Sequence, residues 1–301
     1  MMNYMSHASK MTGRRLPVVR ALLMMRNLLA LSVLFSLCTV SYASAASSVV
    51  TPSVKTTIEL PLQGVTLEYK ANVRLLQVLD DANASSNENA SGSIGYFPLS
   101  AQLFDKTNTQ ANESNKAIEA KKRNVFNQLD AFSVEEPEAK LVKQQLASFQ
   151  YFNRVFIELD RNAVISQSDK NPLLVSSSRT NKPSASQTQA FSLYLPQRPT
   201  SIQLMGVMKE SVTMNLIEHG TLNDYLDALP NGFVGESADK SVAYVVQPDG
   251  VVQTIQYAYW NEQPVYLAPG AIVFMAFYSL PSEYSTLNQD IVDLLRHKVG
   301  L

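Results

Sequence analysis

Cysteine and histidine are almost missing from this sequence. Cys38 is the single cysteine, and the histidines are His7, His219 and His297. Beyond residue 45 no cysteine remains, which excludes structural disulfides and thiol nucleophiles there. His219 and His297 alone leave little for a zinc site, which usually draws on Cys and His ligands. The G-x-S-x-G elbow, the P-loop, G-x-G-x-x-G and H-E-x-x-H are also missing. No metal or cofactor is expected, and the chain is read as a non-enzyme.

Acidic residues are absent from residues 1–45, which carry Lys10, Arg14, Arg15, Arg20 and Arg26. The apolar run NLLALSVLFSLCTV follows, shorter than the ~20 residues a spanning helix needs. SYASA then places Ala43 and Ala45 in a small-x-small pattern. Together these are the parts of a secretory signal cleaved after Ala45, with Met24 or Met25 as an alternative start. An N-terminal membrane anchor is the competing reading. Leu37 rather than a small residue precedes Cys38, which favours a soluble periplasmic protein over a lipoprotein. Without residues 1–45, 20 Lys and Arg face 26 Asp and Glu, a net charge of −6. That balance suits neither nucleic acid nor an anionic membrane surface.

What the rest of the chain does have is periodicity. KTTIELPLQGVTLEY alternates about Gly64 as a hairpin, and NVRLLQVLDDA follows as a short helix capped by Asn72. TSIQLMGVMKESVTMNL alternates about the KES turn, and Thr221 caps a helix with Leu222, Tyr225, Leu226 and Leu229 inward. One plan thus occurs twice, about 145 residues apart. Between the copies, residues 82–93 read as a polar loop. Residues 111–133 and the segment from Pro137 to Phe149 read as a helical hairpin. RVFIELDRNAVI reads as strand-like, and residues 176–189 as an exposed loop. VAYVVQPDGVVQTIQYAYW predicts two strands joined at Pro248-Asp249-Gly250, and PGAIVFMAFY a buried strand. Hairpin, helix and further strands together suggest β-grasp domains, in which a sheet curls around one helix.

In the tail, Tyr284, Leu287, Ile291, Leu294 and Leu295 make one apolar stripe on an amphipathic helix. It either packs on its own domain or offers a partner or membrane interface. Arg296, His297 and Lys298 suit the negative end of the helix dipole. The acidic pairs Asp80-Asp81, Glu135-Glu136 and Asp290 with Asp293 read as solvated faces or caps, and His219 as a turn residue. Tyr257, Tyr259 and Trp260 are a weak stacking candidate for sugar. Arg154 stands out: it enters strand RVFIELD, where it either pairs with a carboxylate or grips a planar anion.

FSLYLPQRPTSIQLMGVM, TLNDYLDAL, VVQPDGVVQTIQYAYWNEQPVYLAPGAIVFMAF and EYSTLNQDIVDLLRHKV resemble the GfcC-type capsule polysaccharide biosynthesis family. IGYFPLSAQLFD, VKQQL and NRVFIELDRNAVI resemble its first half. The resemblance implies an α+β chain of two β-grasp domains, over residues 46–190 and 191–280, similar to those of Wza-type exporters. The first would hold an inserted helical hairpin at about 111–152, and residues 281–301 would form the amphipathic helix. It further implies a periplasmic accessory role in capsule or exopolysaccharide assembly or export. The partner would be polysaccharide or an outer-membrane or periplasmic export protein, with peripheral membrane contact through the last helix. The family's Arg-x-x-x-x-Leu-Asp element falls on Arg154, Leu159 and Asp160, and its aromatic-proline element on Tyr96, Phe97 and Pro98, implying a pocket. Asn153 departs from the small residue usual before the arginine. A membrane-associated export component and a polysaccharide-acting enzyme are the alternatives.

Overall fold

The computed structural model describes residues 53–89, 95–107, 113–176, 186–263 and 265–300, so the expected signal segment, residues 1–45, lies outside the described residues. The fold is α+β, with two five-stranded mixed sheets. In the first, strands β1 (Ser53–Leu60) and β2 (Val65–Tyr69) form the expected hairpin, with Gly64 at φ +67° closing the turn. Helix α1 (Leu75–Asn89) follows, then β3 (Gln102–Asp105), β4 (Asn153–Val155) and β5 (Ser186–Tyr194). The strand order is β2-β1-β5-β3-β4, with β1 and β5 parallel and the other pairs antiparallel.

The second sheet repeats this wiring. It contains β6 (Ser201–Gly206), β7 (Val212–Asn215), helix α5 (Leu222–Asp227), β8 (Ala238–Val246), β9 (Val252–Gln256) and β10 (Ile272–Phe277). Its order is β7-β6-β10-β8-β9, with β6 and β10 parallel and the rest antiparallel. Asp224 accepts from the Thr221 amide at 2.6 Å, fixing the start of α5.

The two sheets differ between their third and fourth strands. Gln247–Val251 makes that connection in the second sheet, with Gly250 at φ +87°. In the first sheet, helices α2 (Glu113–Phe132) and α3 (Glu138–Ala147) occupy it. These helices cover the other sheet. Val125, Leu129, Phe132 and Val142 pack with Met205, Phe274 and Ala276, and with the last helix, α6 (Leu287–Leu295). The opposite face, with Ile202, Leu204, Val273 and Met275, packs on α5. Covering both faces explains why β10, Ile-Val-Phe-Met-Ala-Phe, is apolar at every position. The first sheet buries Ile58, Leu60, Leu103 and Leu193 against Leu75, Val78 and Leu79 of α1.

Two polar side chains pin α3 in place. The buried Gln145 amide donates to Gly206 O (3.0 Å) and Met208 O (3.1 Å) and accepts from Gly206 N (2.8 Å). Glu138 accepts from the amides of Glu236 (3.1 Å) and Ser237 (3.0 Å).

Four local readings change. Residues 82–89 continue α1, because Ala, Ser, Asn and Glu carry no breaker before Gly92. Asn72 does not cap α1. Its Oδ1 accepts from Gln189 (2.7 Å), while the first-turn amide of Leu76 is satisfied by Asn171 Oδ1 (3.0 Å), 95 residues away. RVFIELDRNAVI keeps strand form only at its start. Asp160 then caps helix α4 (Arg161–Ser166), accepting from Asn162 N at 2.9 Å. The ends of the 176–189 segment are buried: Gln189 lies on β5 and accepts from Ser176 N at 2.6 Å.

Candidate functional site

Strand β4 carries Arg154 into a cleft of about 660 Å³. The cleft is walled by Phe97, Pro98 and Leu99 on one side, by residues 155–160 on another, and by Asp249 of the β8–β9 turn. Arg154 is 7% exposed. Its Nη2 donates to Pro248 O (2.5 Å) and Ala101 O (3.4 Å), bridging the two halves of the chain. Its backbone amide donates to Nδ1 of His297 at 3.2 Å. Among the described residues Arg154 forms no ion pair, and its Nε and Nη1 have no hydrogen-bond partner. Burial lowers its pKa to about 10, Asp249 opposing and Arg296 adding to the effect, so it stays charged at neutral pH.

Phe156 organises the cationic side of the cleft. The guanidinium of Arg154 lies 5.5 Å and that of Arg296 4.6 Å from its ring centroid, and the His297 ring meets it edge-on at 5.6 Å. Arg296 Nε also donates to Gly250 O at 2.8 Å. A Cβ on Gly250 would come within 2.4 Å of the Phe156 ring, so glycine is needed for this approach as well as for its φ.

Three carboxylates share the cleft, and each has a local structural bond. Glu158 Oε1 accepts from Asp160 N (3.0 Å) and Oε2 from Lys170 Nζ (3.2 Å). The Asp160 amide and Lys170 hold Glu158 below the ordinary carboxylate range, against partial burial. Asp160 caps α4 as above, and Asp249 accepts from Val251 N at 2.9 Å.

Of the four pocket residues singled out in the sequence, Arg154, Phe97 and Pro98 line this cleft. Tyr96 stands behind its wall: its hydroxyl donates to Leu159 O (2.6 Å) and accepts from Arg161 N (3.2 Å). Burial raises its pKa. The tail residues lie elsewhere. Leu287, Ile291, Leu294 and Leu295 are 0–2% exposed in the core shared with α2, and half-buried Tyr284 packs on Phe132 at 5.2 Å. As α6 is seated here, the stripe is covered by the chain itself rather than offered outward. Tyr257 is buried, whereas Tyr259 and Trp260 are exposed. Asp80 pairs with Arg161 at 2.5 Å, and His219 takes a turn conformation at φ +58°. Among the described residues no His, Cys, Asp and Glu cluster could hold a metal, and no helix is long and apolar enough to cross a membrane.

The sequence reading missed Phe156, Arg296, His297 and Asp249 as neighbours of Arg154. Their signal lay in the Arg-His-Lys run and the Pro-Asp-Gly turn, each fully explained by a local role. His297 yields a pH prediction. Burial, then the charges of Lys121, Arg296 and Arg154, lower its pKa from 6.5 to about 4. The unfolded chain therefore binds a proton between those values that the folded chain does not, so His297 supports the fold above pH 6.5 and loses that support as pH falls toward 4. The urea midpoint is expected to drop over this window, and to drop less in His297→Asn, which keeps an acceptor for the Arg154 amide.

Residues 210–300, from the β6–β7 turn to the C-terminal segment, match the family model described as capsule biosynthesis GfcC C-terminal. The uncharacterized protein YjbG of Escherichia coli (strain K12) is 27% identical over 162 residues, which covers 52% of this chain and 59% of YjbG. The match therefore spans less than two thirds of that relative. The resemblance carried by the strand and tail motifs holds over residues 210–300, where this chain is similar to the capsule biosynthesis GfcC C-terminal family.

Proposed function

We propose that this protein is a non-enzymatic periplasmic accessory component of capsule or exopolysaccharide assembly or export, and that the Arg154 cleft is where it holds glycan. The observation that carries this is a buried guanidinium in an open cleft, with two donor nitrogens unused among the described residues and aromatic rings beside it. Such a group binds an anionic or hydroxyl-rich ligand by fixed, directional hydrogen bonds. The shared strand order of the two sheets supports reading both as β-grasp modules, with α2 and α3 as an insertion into the first. Modules of this kind act by presenting surfaces.

An enzyme is the weaker reading, although Glu158, Asp160 and Asp249 do share the cleft. A glycosidase needs one carboxyl held protonated. Glu158 is instead shifted toward the charged form, and all three already satisfy backbone amides. A membrane-associated role through α6 requires that helix to leave its seat against α2.

Arg154→Met is expected to stay folded, because it removes a buried charge together with its desolvation cost. Ligand affinity is expected to fall about tenfold or more, the size of one or two charge-assisted hydrogen bonds. Capsule output is expected to fall with it. Photo-crosslinking from position 97 in a capsule-producing cell tests the occupant. Polysaccharide on the protein supports the reading. An export protein alone moves the role to partner binding, and neither one overturns it.

A further inference from the structure

After α6 the chain runs beside the segment Gln150–Phe152. Lys298 pairs antiparallel with Tyr151, the Phe152 amide donates to His297 O (3.1 Å), and the Val299 amide donates to Gln150 O (2.9 Å). His297 meets Phe156 and the Arg154 cleft, while Lys298 lines a second cleft of about 480 Å³. The walls of this cleft include Phe149, Gln150, Ser201, Gln203 and Thr213.

Lys298 is 5% exposed. Its ammonium donates to Gly300 O at 3.2 Å and lies 4.9 Å from the Phe149 ring centroid. An ammonium has three donors, and among the described residues Lys298 has no other hydrogen-bond acceptor and no carboxylate partner. None of the other lining residues has a titratable side chain. Burial lowers the Lys298 pKa to about 8, so the group is still mainly charged at neutral pH. A buried cation with no counter-ion among the described residues, at the wall of an open cleft, is arranged to receive an anion. The polar side chains around it, Gln150, Ser201, Gln203 and Thr213 among apolar neighbours, are uncharged amides and hydroxyls, which match sugar hydroxyls rather than a second charge.

We infer that the Lys298 cleft is a subsite for an acidic sugar residue, its carboxylate on the ammonium and its hydroxyls on Gln150, Gln203 and Thr213. The choice of a sugar rests on the glycan reading of the Arg154 cleft; the anion preference does not. Calorimetric titration of the full chain with glucuronate, glucose and acetate tests it. Glucuronate is expected to bind saturably at pH 7, with glucose undetectable and acetate weaker. Lys298→Met is expected to weaken glucuronate at least tenfold and Lys298→Arg to keep part of the binding. At pH 9 the charged fraction of a group with a pKa of about 8 is about tenfold smaller than at pH 7, and affinity is expected to follow. Removing an unpaired buried charge is expected to preserve or raise the melting temperature of Lys298→Met. Wild-type affinity in folded Lys298→Met, or equal binding of glucose, overturns the inference. Acetate binding as tightly as glucuronate overturns the sugar and leaves a bare carboxylate contact, such as a partner protein would make. Loss of glucuronate in Arg154→Met but not in Lys298→Met places the ligand in the first cleft, overturning this site while sparing the function proposed above.

Discussion

Deleting residues 282–301 is expected to abolish the folded state. The deletion removes Leu287, Ile291, Val292, Leu294 and Leu295, all fully or almost fully buried, and uncovers the apolar faces of α2 and the second sheet. At ~1.5–3 kcal/mol per buried side chain, the loss is roughly 7–15 kcal/mol, as large as the whole folding free energy of a typical domain. The tail also supplies the Arg296 bond to Gly250 O and the backbone bonds of residues 297–299 to Gln150 and Phe152. Thermal melts by circular dichroism should show no cooperative transition, and limited proteolysis should degrade the chain without a stable core. A truncated protein with a normal melt would mean that α6 is dispensable and free to serve a partner or membrane. Loss of capsule on truncation alone would carry no information about membrane attachment. Exposed α6 positions such as Gln289 test that role without disturbing the core.

Gly206→Ala is expected to cost about 3 kcal/mol or more, from backbone strain and overlap together. Gly206 has φ +111°, a region disfavoured for residues with a Cβ. A Cβ there would lie 2.3 Å from Met275 O and 2.8 Å from both Met275 N and the Phe274 ring, at the last paired position of the parallel β6–β10 pair. Neither backbone can yield easily, because Gln145 holds Gly206 at both its amide and its carbonyl. Gln145→Leu should also be costly, since it takes the side-chain partner from the Gly206 amide and the Met208 carbonyl at about 1–3 kcal/mol per buried unsatisfied group, while Gly206 O keeps its bond from Met208 N. The double variant should cost less than the sum of the two, because both act on one contact. Denaturant midpoints of the three proteins check this. A Gly206→Ala midpoint within experimental error of wild type would show that the β6–β10 contact can relax.

Much of the architecture could be read from the sequence because it depends on local period. The two hairpin-helix units, the α2–α3 hairpin, the Pro248-Asp249-Gly250 turn and the buried strand β10 each declare themselves within a short window. What those windows could not specify is the opposing surface. The stripe from Leu287 to Leu295 has the same spacing whether it covers α2 or a partner. The α2 stripe likewise says that Val125 and Leu129 are buried, not that they lie on the second sheet. Asn171 caps α1 from 95 residues away, and Gln145 reaches Gly206 across 61. Residues 82–89 are small and polar, a composition that helices and loops share, so only the absence of glycine and proline favoured the helix. In the candidate site, Arg154 stood out as a lone cation entering a strand. Phe156, Asp249 and the Arg296-Lys298 run were hidden because each already had a sufficient local explanation.

The covering of the second sheet by α2, α3 and α6 also sets the order in which this protein can fold. A chain made from its N-terminus produces Ile118, Val125, Leu129 and Phe132 more than 150 residues before the helix that covers them. Contacts so distant in sequence close slowly, because loop entropy must be overcome before packing compensates for it. Until Leu287–Leu295 exists, the α2–α3 hairpin carries an open apolar face, of the kind that aggregates or engages chaperones. Synthesis of Leu287–Leu295 is therefore the step that lets the α2–α3 hairpin cover its apolar face.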